Sequence, residues 1–411
     1  MPSIHDYLNW RGDVPATCDN INEVDNMIFC LLAYVNFEKI YEHLSPDTPL
    51  TLREAAKEYF FSHDEKEHRP LGLIVPTDIL SLFRRLADTP RFRGVTMFGY
   101  VNEICHEREM QFSAVTFRLE DGSLFVAYRG TDDSIVGWKE DFNLSYMDEV
   151  PAQSKATAYL NSLSADLSTA LFVGGHSKGG NLAVWGATHA RPDVQKRIRR
   201  VYCNDGPGFT GDMLSSEAYR GVADRVIFLV PQSSLVGLLL GNDGRYEIVK
   251  SRNVGVFQHD GLSWEVMGAS FVRSEGLTGR GIRTDTVVRE RIEGMSREEK
   301  QALVEMFFEL LMSTGAETLS ELVEDSAKNV IAMVRTYQSF DKEKKELAGY
   351  LLSKLFDTRA SQRKDTAKEG ISGQGEGVPA VAAGRVPVKK AKSKARIHVE
   401  LRIRFFSASH S

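Results

Sequence analysis

Two periodicities divide this chain. Over the first ~90 residues apolar positions recur at helical spacing: Val24, Ile28, Leu31, Leu32 and Val35 follow the polar pair Asp19-Asn20. Thr51 and Glu54 form a capping-box pattern ahead of Ala55-Ala56-Lys57-Glu58-Tyr59-Phe60. A third helix is expected after Thr77-Asp78. The period then drops to two. Phe112, Ala114, Thr116 and Arg118 alternate with Ser113, Val115, Phe117 and Leu119, Asp121-Gly122 supplies a tight turn, and Leu124 to Tyr128 runs back. That pattern predicts a β-hairpin.

Downstream, short apolar runs alternate with helical segments: Leu171 to Gly174, Asn181 to His189, Val201 to Cys203, Val226 to Val230 and Tyr246 to Lys250. This rhythm implies a mostly parallel sheet with helices on its faces. After Arg283 the spacing is helical again, with Ser296 and Glu299 as a second capping box and Leu303, Met306, Phe307, Leu310 and Leu311 as an apolar stripe. Two more helices are expected, Glu317 to Tyr337 and Asp341 to Phe356, packing on the core rather than forming a membrane or partner surface. The expected organisation is a helical N-terminal region at 1–95, an α/β core at 96–285, a helical C-terminal region at 286–358 and a tail at 359–411.

Charge separates the tail from the body. The 411 residues carry a net charge of -5, but residues 360–411 hold 11 basic against 4 acidic side chains, leaving 40 against 52 elsewhere. The tail has no Tyr or Trp and is rich in Lys, Gly, Ala and Ser, so it is expected to be disordered. Its run Lys389-Lys390-Ala391-Lys392-Ser393-Lys394-Ala395-Arg396 reads as a solvated basic segment, with weak contact to nucleic acid or an anionic lipid surface as the alternative and no specific nucleic acid expected. Ile397 to Phe406 has strand-like character. Four scattered cysteines, Cys18, Cys30, Cys105 and Cys203, form no CxxC pair and suggest neither a zinc site nor a disulfide framework. The first residues lack the basic start and apolar run of a signal peptide, so a cytoplasmic location is expected. The longest central apolar stretch, Leu235 to Leu240, is far short of the ~20 residues of a membrane span.

The chemistry concentrates in Leu171-Phe172-Val173-Gly174-Gly175-His176-Ser177-Lys178-Gly179-Gly180-Asn181-Leu182-Ala183. Gly175-x-Ser177-x-Gly179 lies between a strand-like and a helix-like run, the context of a nucleophile elbow. Small residues two before and two after the nucleophile let strand and helix approach, and the helix N-terminus brings free N–H groups to the reacting oxygen. A base must follow. Of the histidines after Ser177, His189 ends the elbow helix and His398 and His410 lie in the tail, which leaves His259. Candidate acids between them are Asp193, Asp205, Asp212, Glu217, Asp224, Asp243 and Glu247. Asp205 directly follows a strand at the sheet edge where such sites gather, although it could instead only cap the turn into Gly206-Pro207-Gly208. The oxyanion donors are the backbone N–H of Lys178 and, from the end of the strand Val126 to Arg129, Thr131. Gly276-Leu277-Thr278-Gly279-Arg280-Gly281 lacks the strand and helix of a dinucleotide site; no cofactor and no metal site is expected.

These residues carry a resemblance. Tyr128-Arg129-Gly130-Thr131 followed by Trp138, and Gly175-His176-Ser177-Lys178-Gly179-Gly180, resemble the oxyanion strand and elbow of class 3 lipases, the fungal triacylglycerol lipase family. With Asp205-Gly206-Pro207-Gly208-Phe209, Val230-Pro231-Gln232-Ser233-Ser234-Leu235-Val236-Gly237 and Gln258-His259-Asp260-x-x-x-Trp264, the chain more closely resembles a bacterial lipase-like family catalogued only as a domain of unknown function. The resemblance covers roughly Asn20 to Phe271. It implies an α/β-hydrolase with Ser177 as nucleophile, His259 as base and Thr131 as oxyanion residue. One departure matters: class 3 lipases place the acid just before an Ile-Val-Pro-like segment, and Phe228 stands there in this chain. Asp205 matches instead the acid position of pancreatic-type lipases.

The expectation is therefore an α/β-hydrolase with a mostly parallel central sheet, a helical N-terminal addition and a helical C-terminal cap. Its expected reaction is hydrolysis of a small acyl ester or lipid by Ser177, His259 and Asp205. The alternative is a hydrolase fold retained as an inactive binding or scaffolding module. The segment Asp132 to Phe142 mixes charge with Ile135, Val136, Trp138 and Phe142 and reads either as a lid or as a fixed helix whose Trp138 packs against the core.

Overall fold

The computed structural model describes residues 2–43, 48–63, 78–163, 169–234, 236–237, 240, 244–277 and 294–356. The tail at 359–411, its basic run and Ile397 to Phe406 lie outside them, as do Asp243, His398 and His410.

Eight strands form one sheet in chain order: β1 Leu50–Thr51, β2 Thr96–Cys105, β3 Met110–Arg118, β4 Leu124–Tyr128, β5 Leu171–His176, β6 Ile198–Asn204, β7 Val226–Pro231 and β8 Tyr246–Val249. Pairing is antiparallel from β1 to β4 and parallel from β4 to β8. The hairpin falls where alternation and Asp121-Gly122 placed it, with Phe117 opposite Phe125. Strand β2 was not legible in the pattern, because Gly99 at φ +65° shifts the register between Phe98 and Val101 and breaks the alternation there.

The sequential order has a consequence for the layers. Parallel crossovers are right-handed, so successive connections in one direction put their helices on one face. That face is covered by α7 Pro151–Ser162, α8 Lys178–His189 and the short α9 Pro192–Gln195, α10 Gly211–Ser215 and α11 Glu217–Arg220. Ala156, Leu160, Leu182, Val194, Met213 and Tyr219 bury there against Val126, Val173 and Val201. The opposite face needs another cover. It comes from the N-terminal helices α1 Ile4–Arg11, α2 Glu23–Leu32, α3 Leu52–Ser62, α4 Ile79–Leu86 and α5 Pro90–Arg93. Their residues pack on Phe117, Phe125, Ala127, Tyr202 and Leu229. α2 is buried from Val24 to Leu32, its polar Asp25 and Asn26 held by hydrogen bonds to Tyr7 and Asn204. Arg91 fixes the loop before it, pairing with buried Asp25 and donating to the carbonyls of Val14, Asp19 and Asn20.

The C-terminal helices are α12 Arg297–Met312, α13 Leu319–Glu324, α14 Ser326–Ser339 and α15 Lys342–Phe356. Ser296 caps α12 by accepting from the Glu299 N–H, as its capping box predicted. The single helix expected from Glu317 to Tyr337 is broken at Asp325, whose ψ of 34° interrupts the helical path. Core packing also differs from expectation. α12 buries Val304, Met306 and Phe308, whereas α14 buries only Asn329 and leaves Val330, Ile331, Val334 and Tyr337 exposed. No described helix is long and apolar enough to cross a membrane. A mostly parallel sheet with a strand-Ser-helix elbow at its centre, helices on both faces and sites gathered at the carboxyl ends of the strands is the α/β-hydrolase fold.

Candidate active site

One residue, Ser177, separates β5 from α8, at φ +58° and ψ -135°. A non-glycine residue held there stores about 1–3 kcal/mol of strain and persists only where its surroundings over-determine it. They do. A Cβ on Gly175 would lie 2.0 Å from the Gly179 carbonyl, and one on Gly179 would lie 2.1 Å from the Tyr128 carbonyl oxygen. The Ser177 N–H donates to the Asn204 carbonyl at 3.0 Å, and its own carbonyl accepts from Gly180 N–H at 2.9 Å. The Asn204 side chain ties in the Gly175 carbonyl at 3.0 Å and accepts from Asn26 of α2, also at 3.0 Å.

Asp205 follows β6 with φ +50° and is fully buried. Its N–H donates to the Leu229 carbonyl at 2.7 Å. One carboxylate oxygen meets His259 Nδ1 at 2.6 Å; the other accepts from the Ser234 hydroxyl and from the Gly237 N–H at 3.2 Å. A carboxylate only accepts, so Nδ1 carries the imidazole proton and Nε2 is the basic nitrogen. No hydrogen bond joins Ser177 Oγ to His259 among the described residues; such contacts commonly tighten only when substrate is bound.

Three of the other candidate carboxylates are paired elsewhere. Asp193 pairs with Arg191 at 2.9 Å, Asp224 with Arg245 at 3.4 Å and Glu247 with Arg273 at 2.5 Å. Asp212 and Glu217 lie in α10 and α11. His189 stacks on Trp185 of its own helix.

Sequence reasoning passed over His176, the residue before Ser177. Its Nε2 donates to the His259 carbonyl at 2.7 Å, and the two rings lie 4.5 Å apart. Nδ1 must then accept, and the Tyr34 hydroxyl donates to it at 3.1 Å. Burial pushes the His176 imidazole down to about 3, which keeps it neutral with one N–H and one lone pair. The only signals were a histidine inside an apolar strand and a tyrosine just past an apolar helix.

Thr131, just past β4, is buried, and a Cβ on its neighbour Gly130 would lie 2.9 Å from Ser177 Cβ. Its hydroxyl donates to Asp141, whose carboxyl burial raises to about 6. Lys178 opens α8, where backbone N–H groups lack intrahelical acceptors. Its side chain is committed to the core: Nζ donates to Glu140 at 2.9 Å and to the Gln111 carbonyl and side chain at 2.9 and 2.8 Å. Glu140 also accepts from the Gln111 and Ala152 N–H groups.

Glu140 and Asp141 belong to α6 Ile135–Asn143, within the segment read either as a lid or as a fixed helix on the core. It is pinned here. Besides the buried ion pair to Lys178, the Ile135 N–H donates to the Glu317 carbonyl and the Leu319 N–H to that of Asp133, each at 2.9 Å. Ile135 and Trp138 pack with Val304 and Phe308 of α12. α6 is tied to Lys178, to α12 and to the chain leading into α13.

A family model described as Mbeg1-like matches residues 86–309. A search of curated proteins finds no match. Among solved structures the chain is similar to the crystal structure of M37 lipase, at 18% identity over 43% of this chain and 70% of that one, TM-score 0.29. It is also similar to Rhizomucor miehei lipase in its native propeptide complex, at 15% identity over 39% of this chain and 58% of that one, TM-score 0.28.

Proposed function

The chain belongs to the lipase-like Mbeg1-like family, and we propose that it is a serine hydrolase that cleaves acyl esters through Ser177, His259 and Asp205. The observation that carries this reading is the 2.6 Å contact between His259 Nδ1 and Asp205, an acid otherwise held by Ser234 and Gly237. An orienting carboxylate fixes the tautomer of the base and stabilises the imidazolium that forms when the base takes a proton. The positive φ of both Ser177 and Asp205 supports it, since such backbone strain gathers at functional sites.

The steps follow from the groups present. Ser177 Oγ adds to the acyl carbonyl carbon while His259 Nε2 accepts the hydroxyl proton. The carbonyl oxygen becomes an alkoxide facing the Lys178 N–H and the end of β4 at Thr131. Collapse expels the alcohol, which takes the proton from His259. Water then adds to the acyl-serine with the same base, releasing the acid and restoring Ser177. Because the Thr131 hydroxyl proton is given to Asp141, the donor Thr131 offers in this arrangement is its backbone N–H.

A fluorophosphonate probe tests the reading. An activated Ser177 labels and the Ser177→Ala chain does not; equal labelling of both would sink it and leave the scaffold alternative.

A further inference from the structure

Ser177 lies at the carboxyl ends of the parallel strands. At their amino ends, a strand length of roughly 20 Å away along β5, a cleft of about 360 Å³ opens between the loop before α2 and the turn of the β3–β4 hairpin. That volume is within the ~300–1,000 Å³ of small-molecule sites. Both walls are braced. Buried Arg91, paired with Asp25, holds the loop through the carbonyls of Asp19 and Asn20, and Asn20 and Ile21 form that wall. Across from it the Leu119 N–H donates to the Ser123 carbonyl at 2.8 Å, and Asp121 accepts from the Ser123 N–H and hydroxyl at 2.9 and 2.6 Å. The floor is Phe172 of β5, paired in register with Arg200 of β6, and Tyr202 stands two residues further along the same face.

Two kinds of polar group in this cleft have no partner. Tyr202 is 6% exposed, yet its hydroxyl makes no hydrogen bond among the described residues. Burial pushes its phenol up to about 12, so it stays a neutral donor, and Arg200 acts against that rise, which puts the guanidinium within electrostatic reach of the hydroxyl. Arg199 and Arg200 are exposed at the mouth, and neither has a carboxylate partner among the described residues. The acids around them are matched already: Asp25 with Arg91, Asp19 with Arg11, and Glu23 with Arg273 at 2.6 Å. On the turn wall Asp121 is committed to Ser123, and Glu120 is folded over Gly94, where a Cβ would meet its carboxylate at 2.0 Å. We propose that the cleft binds a small organic anion, its carboxylate or phosphate received by Arg200 and the Tyr202 hydroxyl and its compact apolar body lying against Phe172, Ile21 and Leu119. A guanidinium fork matches either oxyanion in two parallel hydrogen bonds. Nothing in this site draws on Ser177, so it stands apart from the hydrolase reading.

The test is fluorine NMR of para-fluorobenzoate and para-fluorophenyl phosphate titrated with the full chain, with para-fluorobenzyl alcohol as the neutral counterpart. Saturable binding of at least one anion is expected, and none of the alcohol; the tighter anion tells carboxylate from phosphate. Arg200→Gln should weaken binding at least about tenfold and Tyr202→Phe by a few-fold, with both chains melting close to the parent. Lys196→Gln removes an equal charge from an exposed position outside the cleft and should bind like the parent. The proposal is overturned if neither anion binds, if inorganic phosphate competes as well as the aryl anions, or if the Arg200→Gln and Tyr202→Phe chains both bind like the parent. Ser177→Ala should bind the anion unchanged, and saturating anion should leave fluorophosphonate labelling of Ser177 intact. An anion that blocks labelling and ignores Arg200→Gln sits at Ser177 instead and overturns the proposal. Absence of labelling in the parent would count against the hydrolase reading alone, since the titration is read without it.

Discussion

His176 donates its Nε2 proton to the backbone carbonyl of His259 at 2.7 Å, so the residue before Ser177 holds the loop that carries His259. Tyr34 completes the chain by donating to His176 Nδ1, which ties the N-terminal helices to the site. His176→Phe keeps a ring of similar shape but takes the donor from the His259 carbonyl and leaves the Tyr34 hydroxyl only the backbone carbonyl of residue 176, at 3.4 Å. The expected loss is about 1–3 kcal/mol in urea denaturation, with kcat reduced more than KM is raised, because the base is displaced rather than the substrate. Unchanged stability and kcat together would show that the contact does not position His259.

The pH dependence of stability should contain two opposed contributions. The folded-state value of His176 is pushed below that of a free histidine. The unfolded chain then binds the extra proton, and stability falls as pH drops from the free value of about 6.5 toward 3. Asp141 is raised to about 6 by burial, so the folded state holds a proton that the unfolded chain has released, and stability is lost as pH rises from about 4 through 6. Thermal melts from pH 4 to 8 should therefore show a shallower acid loss for His176→Phe than for the parent. Asp141→Asn should remove the loss on the rising side. Parallel curves for all three chains would mean that neither group is shifted.

Asp205→Asn places an amide where His259 and Ser234 need a carboxylate. Turnover of an acyl ester should fall by about two to four orders of magnitude with the fold retained. Glu247→Gln, which loosens only a pair with Arg273, should cost less than tenfold. The reverse ranking would move the acid away from Asp205.

The ion pair between Lys178 and Glu140 is completely buried. Removing one partner leaves an uncompensated charge in the core, and Lys178→Met is expected to cost about 3–5 kcal/mol in chemical denaturation. Adding Glu140→Leu should recover part of that loss, because the second substitution removes the orphaned charge. A double variant less stable than the parent by the full sum of the two single effects would show that the pair is not coupled.

Trp138 sits partly buried between α6 and α12 beside Ile135 and Phe308. Trp138→Ala should lower stability by roughly 1–3 kcal/mol, somewhat less than for a fully buried tryptophan, and reduce rates on acetyl and long-chain esters of one leaving group alike. Selective loss on the long chain would restore the lid reading.

What the sequence by itself determined was local. The alternation at Phe112 to Leu119, the capping boxes at Thr51 and Ser296, and the glycines around Ser177 each act within a few residues, so their elements could be read from spacing. Chain order and the edge of β6 were enough to single out His259 and Asp205. Tertiary structure decided what depends on distant partners. Gly99 hid β2 because its bulge is defined only by pairing with β3. The apolar face of Ile135 and Trp138 was compatible with a lid until α12 covered it and Glu140 found Lys178. Tyr34 and His176 meet only because the N-terminal helices must cover the sheet face that right-handed crossovers leave bare, and that contact spans 142 positions along the chain.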